Sequence, residues 1–190
     1  MRRGFKAQAE RLAALARSNL ALHECAPLSP WVYADRLGIV VWGPEELDLD
    51  PLDLAQLTIH DSDSWSGASV RGGDRVGVIL NSTHPRTRQA NTLMHEIAHV
   101  QLRHAPSHVQ MTDEGLLLIS EYPSDLEEEA DWLAGALLLP RSALLLHRGR
   151  GAAAFEIARE FGVSDQLCTW RLRMTGVDRQ LRVGRTSPFG

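Results

Sequence analysis

Between Asn91 and His104 the chain reads NTLMHEIAHVQLRH, and inside it stands His95-Glu96-Ile97-Ala98-His99. Two histidines four residues apart on a helix share one face, one turn apart. That spacing lets two neutral imidazoles reach one metal ion, and zinc takes such nitrogens at about 2.0–2.1 Å. Glu96 follows the first histidine directly. Its carboxylate therefore flanks the ion and can take a proton from a water that the ion acidifies. Two histidines alone do not hold a catalytic zinc, which needs three protein ligands and one open position.

The search for a third ligand narrows the chemistry. A third histidine six residues after the second is one solution, but that position is Ala105. His104 comes one residue early, off the ligand face and near the helix end, and is expected to be a surface histidine. The other solution is a carboxylate from a later helix. The stretch SDLEEEADWLAGALLLP supplies Glu127 and Asp131, again four apart on one face. Glu127 can complete the set, and Asp131 can accept the N–H of a ligand histidine and fix its tautomer. A run of three glutamates also suits the positive end of a helix with no metal at all. That plainer reading covers Glu128 and Glu129 more easily than Glu127.

These side chains need elements to carry them. Thr87 to about Arg103 is predicted as a helix, stopped before Pro106. A second helix is predicted from a cap at Ser124 or Asp125 to Leu139, with Pro140 as its stop. Upstream, Ser66–Val70 and Val76–Leu80 flank Gly72-Gly73-Asp74, which is a hairpin signal. Ile39–Trp42 is a further strand candidate. Residues 105–124 read as a loop around an apolar patch at Leu116–Ile119. Phe5 to about Glu24 reads as an amphipathic helix on Leu12, Leu15, Asn19 and Leu22. Ser29 and Pro30 open a short helix that Gly38 ends. The stretch PEELDLDPLDLA is expected as loop or short helical turns. Residues 151–176 read as two helices separated by Gly162-Val163-Ser164, and RTSPFG as a frayed tail.

Composition sets the outer bounds. The 190 residues are 44% hydrophobic and 23% charged, which excludes the disordered class and suits one domain or one with an appendage. The net charge of −4 is unevenly spread. The last 50 residues hold 9 Arg against 4 Asp/Glu, and the rest of the chain is strongly acidic. The basic segment is expected to pair with the acidic body. Cys25 and Cys168 show neither metal spacing nor a disulfide framework. Charges at Lys6, Glu10, Arg11 and Arg17 interrupt the opening residues, so no signal-peptide pattern appears. Apolar runs such as Leu133–Pro140 are too short to cross a bilayer. The expectation is a cytoplasmic protein.

The assembled motifs resemble the ImmA/IrrE-type metallopeptidases over roughly residues 28–175. The resemblance is carried by VILN at 78–81, Arg88, the HEIAH stretch, and EEEADWLAGALLLP at 127–140. It extends to IAREFGVS at 157–164 with Arg171-Leu172. It implies an α+β fold, in which a small hairpin-containing β-sheet packs on a zincin-like helical core with further C-terminal helices. The implied division is an N-terminal helix over 1–26, a metallopeptidase core over 27–140 and a helical, helix-turn-helix-like extension over 141–190. It also implies zinc as cofactor, His95, His99 and Glu127 as ligands, and Glu96 as catalytic base. Asp131 is implied as support for a ligand histidine, with Glu129 as the alternative third ligand. Ala90, Asn91, Met94, Ala98 and Leu133 depart from the family pattern beside the site but remove no ligand. For stabilising an oxyanion the candidates are Tyr122, His108 and His147. The implied substrate is a helix-turn-helix repressor of a mobile element or stress response.

Two other functions share parts of this pattern. A zinc-binding regulator could inactivate its repressor partner by binding without cleavage. The segment IAREFGVSDQLCTWRLRM has a helix-turn-helix rhythm, but Leu167, Cys168, Trp170 and Leu172 make its second helix a packing surface. Direct nucleic-acid binding is therefore not expected, nor is a membrane partner.

Overall fold

The structure, a computed structural model, describes residues 1–73, 75–106, 108–111 and 117–185. The strands at 108–111 and 117–121 and residues 184–185 are described as backbone only. Helices and a sheet alternate along the chain, and the fold is mixed α+β, as the resemblance implied.

Helix α1 (Phe5–Asn19) opens the fold. It is shorter than the predicted span, and its buried face differs from the predicted one. Phe5, Ala9, Ala13, Ala16 and Arg17 are buried, whereas Leu15 and Leu22 are exposed. The small alanines let α1 approach another helix closely, and close approach buries more surface than a leucine stripe held at a distance. Helix α2 (Pro30–Arg36) follows, with the Ser29 hydroxyl accepting from the Val32 N–H.

Strand β1 (Ile39–Trp42) leads through short helical turns, including α3 (Pro51–Ala55), to the hairpin β2 (Gly67–Gly72) and β3 (Arg75–Leu80). β1 pairs parallel with β3, and β2 pairs antiparallel with β3. The predicted loop at 105–124 instead holds two strands, β4 (His108–Met111) and β5 (Leu117–Glu121). β5 pairs antiparallel with β2 and with β4, giving a five-stranded sheet in the order β1-β3-β2-β5-β4. Strands of four and five residues carry too few alternations to show a period in sequence. Position 74 of the hairpin turn and the tail beyond residue 185 lie outside the described residues.

Helix α4 (Arg86–Leu102) lies against β2 and β3, and α5 (Ser124–Leu138) packs on both α4 and α1. Ala130, Leu133, Ala134, Leu137 and Leu138 of α5 meet Leu93, Met94 and Ile97 of α4 in one apolar cluster. The C-terminal part is α6 (Arg141–Gly149), α7 (Ala154–Phe161), α8 (Asp165–Thr175) and α9 (Val177–Arg185). Gly162 ends α7 in the left-handed region at φ 64°, which favours glycine. Cys168 and Leu172 of α8 are buried in the same cluster, and Trp170 meets Trp132 edge-on at 5.5 Å. That packing needs Gly135, where a Cβ would come within 2.8 Å of the Trp170 ring. No helix among the described residues is long and apolar enough to cross a membrane.

Candidate metal centre

The centre forms where α4 crosses α5. The four-residue spacing on α4 turns His95 and His99 to one side, and the first turn of α5 brings Glu127 to meet them. The two Nε2 atoms stand 3.0 Å apart. Glu127 Oε2 is 3.1 Å from His95 Nε2 and 3.6 Å from His99 Nε2. Three atoms held at about 2.0–2.1 Å from one ion at tetrahedral angles are about 3.3 Å from one another. The observed triangle fits that requirement.

The other ring nitrogens of both histidines also have partners. His95 Nδ1 donates to Asp131 Oδ1 at 2.9 Å. Glu127 and Asp131, one turn apart on α5, thus bracket the two nitrogens of one ring. His99 Nδ1 lies 3.0 Å from His104 Nδ1. With hydrogens on both Nδ1 atoms, the two Nε2 lone pairs and a Glu127 oxygen converge on one point. Three acceptors with no donor between them repel, and a cation removes the repulsion. Burial opposes charge on His95, but the Asp131 hydrogen bond and the carboxylates of Glu96, Asp131 and Glu127 outweigh it and raise its pKa. Burial, then His95 and His104, push His99 down to about 3. The cluster therefore attracts a positive charge yet keeps His99 neutral, as a metal-binding imidazole must be.

Glu96 stands beside the triangle and is half-buried. Ser69 on β2 donates a hydroxyl hydrogen bond to Glu96 Oε2. Burial raises the Glu96 pKa, helped by Glu127 and opposed by Ser69 and His95. Tyr122 stacks on His99, with centroids 3.7 Å apart and planes at 23°. Burial, and then the charge of Glu96, push its phenol up to about 12, so it stays protonated at neutral pH.

The remaining candidates fall elsewhere. His147 meets Glu160 at 3.4 Å and Phe161 edge-on, among the C-terminal helices and away from this cluster. The side chain of His108 lies outside the described residues. Glu129, the alternative ligand, is buried and turned the other way, onto Arg2. His104 corrects the sequence reading: it is 6% exposed, not a surface residue. Arg103 takes the left-handed conformation at φ 54°, and the Arg103 and His104 N–H groups return to Val100 and His99 carbonyls. This Schellman turn folds His104 back against His99. Glycine at position 103 would have signalled the turn, and arginine does not. Ser69 and Arg71 also escaped the sequence reading. They lie two apart on β2 and so share one sheet face. Arg71 Nε is buried without a hydrogen-bond partner, and its charge acts on the Tyr122 phenol.

A helix bearing H-E-x-x-H, crossed by a second helix that adds a carboxylate, defines a metallopeptidase class of centre. Residues 55–173 match the family model described as the IrrE N-terminal-like domain, Peptidase_M78, and the chain belongs to that family. No individual curated protein matches the sequence.

Proposed function

We propose that the protein is a zinc-dependent endopeptidase that cleaves a protein substrate, a helix-turn-helix repressor of a mobile element or stress response. The observation that carries this reading is the acceptor triangle of His95, His99 and Glu127 with Glu96 beside it. A zinc ion held by those three residues supplies Lewis acidity, polarising a peptide carbonyl and acidifying water.

The chain's own groups supply the rest. Glu96 takes the proton of the attacking water on its carboxylate and returns it to the leaving amine. Its raised pKa brings it nearer to neutrality, where a proton acceptor that must also donate works best. Asp131 holds the tautomer and orientation of His95. Tyr122, protonated and stacked on His99, is assigned the role of donor to the developing oxyanion. The membership in a peptidase family supports cleavage over silent binding, and the repressor follows from the sequence resemblance.

The test uses purified protein with zinc and a separately purified helix-turn-helix repressor. Wild type is expected to cut the repressor into two fragments, and a chelator should stop it. Glu96→Gln should keep the metal and the fold and lower the rate by about 10²–10⁴-fold. Full inactivation of the repressor by Glu96→Gln would reject the peptidase and leave a zinc-dependent binder.

A further inference from the structure

We propose that Arg2, acting through Glu129 and His104, positions the metal-binding His99 and so helps to set the metal affinity of the centre. The inference rests on the reading of His95, His99 and Glu127 as a metal-binding set.

His99 offers Nε2 to the cluster, so its Nδ1 hydrogen needs an acceptor to hold the ring in that orientation. The acceptor is His104 Nδ1, 3.0 Å away. An imidazole that accepts at Nδ1 carries its hydrogen at Nε2. Among the described residues that buried Nε2 has no partner within hydrogen-bond distance, and Glu129 Oε2 lies 3.8 Å from it. Glu129 is fully buried. A carboxylate without water needs a cation to stay charged and in place. Arg2 supplies it, with Nε at 2.8 and 3.0 Å from the two oxygens and Nη2 at 2.6 Å. Its backbone N–H adds a fourth bond at 2.8 Å. Both Glu129 oxygens are thereby aligned by a planar fork that a lysine does not reproduce.

The chain Arg2–Glu129–His104–His99 runs from the segment before α1, across α5, to the end of α4. Its last link depends on the left-handed turn at Arg103. Non-glycine residues keep such a conformation only where the surroundings over-determine it. Here His104 is held on one side by His99 and faces Glu129 on the other. A simple tether between the start of the chain and α5 would need Arg2 and Glu129 but not the buried imidazole between Glu129 and the metal centre.

Arg2 is 62% exposed at its side chain, so Arg2→Ala opens no cavity, but it strands the buried Glu129; a metal-free melt checks the fold of each variant, and Arg2→Lys keeps a cation there. Zinc affinity of the full chain is measured by competition with a chromophoric chelator, and the cobalt-substituted protein gives its visible absorption bands. His104→Leu should weaken zinc about 10–100-fold, as loss of a direct partner does, and Arg2→Ala by a smaller factor of about 3–10. In the double variant Arg2→Ala should add nothing to His104→Leu, because the path is already cut. Arg2→Lys should recover part of the loss, and the cobalt bands should move in both single variants. If His104→Leu does not fold, His104→Asn replaces it; it keeps an acceptor near Nδ1 and should likewise erase the effect of Arg2→Ala. Unchanged affinity in Arg2→Ala, or losses that simply multiply in the double variant, would overturn the proposal. Failure of the wild type to bind zinc would instead overturn the function on which it rests.

Discussion

The two ends of α5 both bury charge, and they do so in opposite ways. At its C-terminal end the last carbonyls need donors, as in any helix. Arg17 donates to the carbonyls of Leu137, Ala13 and Ala26, and Arg171 to that of Leu139 and to Glu10. Burial lowers the pKa of both arginines, Arg17 to about 10, yet both stay cationic at neutral pH at the negative pole of the helix. Acceptors and donors are matched, save for Nη1 of Arg171. At the N-terminal end the Nε2 atoms of His95 and His99 and the Glu127 carboxylate converge, with no donor among them while both imidazoles are neutral. A matched set stabilises the chain by itself, whereas a set with surplus acceptors stabilises it only when a cation arrives.

The contrast is sharpest in the response to metal. Zinc at a thousandfold excess over its Kd should stabilise the wild type by about 4 kcal/mol. For a chain of this length that is about 8–16 °C in Tm. Glu127→Gln should lose nearly all of that gain. At a pH where His95 is neutral, its metal-free form should melt no lower than the metal-free wild type, since one converging charge is gone. A metal-free Glu127→Gln that melts well below wild type would make Glu127 a structural residue and end the contrast.

The other end should behave in the reverse way. Arg171→Met leaves Glu10 and the Leu139 carbonyl without their cation. The cost should be about 3 kcal/mol, the low end for a broken buried pair because Glu10 is partly exposed and also accepts from the Arg141 N–H. Thermal melts should fall by about 6–12 °C, equally with and without metal. Zinc affinity should stay at the wild-type value. A loss of affinity alongside the loss of stability would mean that the two ends are coupled through the helix.

This division also explains what could be read from the sequence. His95, His99, Glu127 and Asp131 were legible because each pair recurs at the period of a helix, so sequence spacing becomes spatial proximity. The hairpin was legible from its glycines. β4 and β5 were not, because four or five residues pair by register with a distant strand and leave no period. Leu15 and Leu22 misled for a related reason. Hydrophobicity alone favours them, but the neighbouring helix decides, and α5 selects the alanine face. The basic C-terminal segment was expected to meet the acidic body, and the Arg171 guanidinium pairs with Glu10, whereas Arg141 reaches it only through its backbone N–H. That Arg17 and Arg171 would be fully buried was not readable, since the carbonyls that receive them belong to a helix end more than thirty residues away. Ser69 was missed because only a tertiary contact links it to the site, and His104 because an arginine at position 103 conceals the turn that folds it back.

A smaller effect separates orientation from ligation within the site itself. Asp131 touches His95 but not the converging point, and its side chain is 68% exposed. Asp131→Asn should weaken zinc by about 10–100-fold while the metal-free melting temperature stays close to wild type. Chelator competition and a metal-free melt measure both. A drop in metal-free stability with affinity intact would place Asp131 with the scaffold.

The smallest expected change lies in the pH profile of cleavage, and its sign is fixed by the partners of Glu96. Glu96 must be ionised to accept a proton, so kcat/KM falls as pH drops through its pKa. Burial sets that pKa above the ordinary carboxylate range, and the Ser69 hydroxyl, by donating to the ionised form, holds it below where burial alone would put it. Ser69→Ala removes only that restraint. The acidic limb of kcat/KM should therefore move to higher pH, with zinc affinity unchanged because Ser69 touches none of the converging atoms. A limb that stays in place would show that Glu96 is not the group whose ionisation limits the reaction. A limb that moves to lower pH would show that Ser69 stabilises the protonated acid instead.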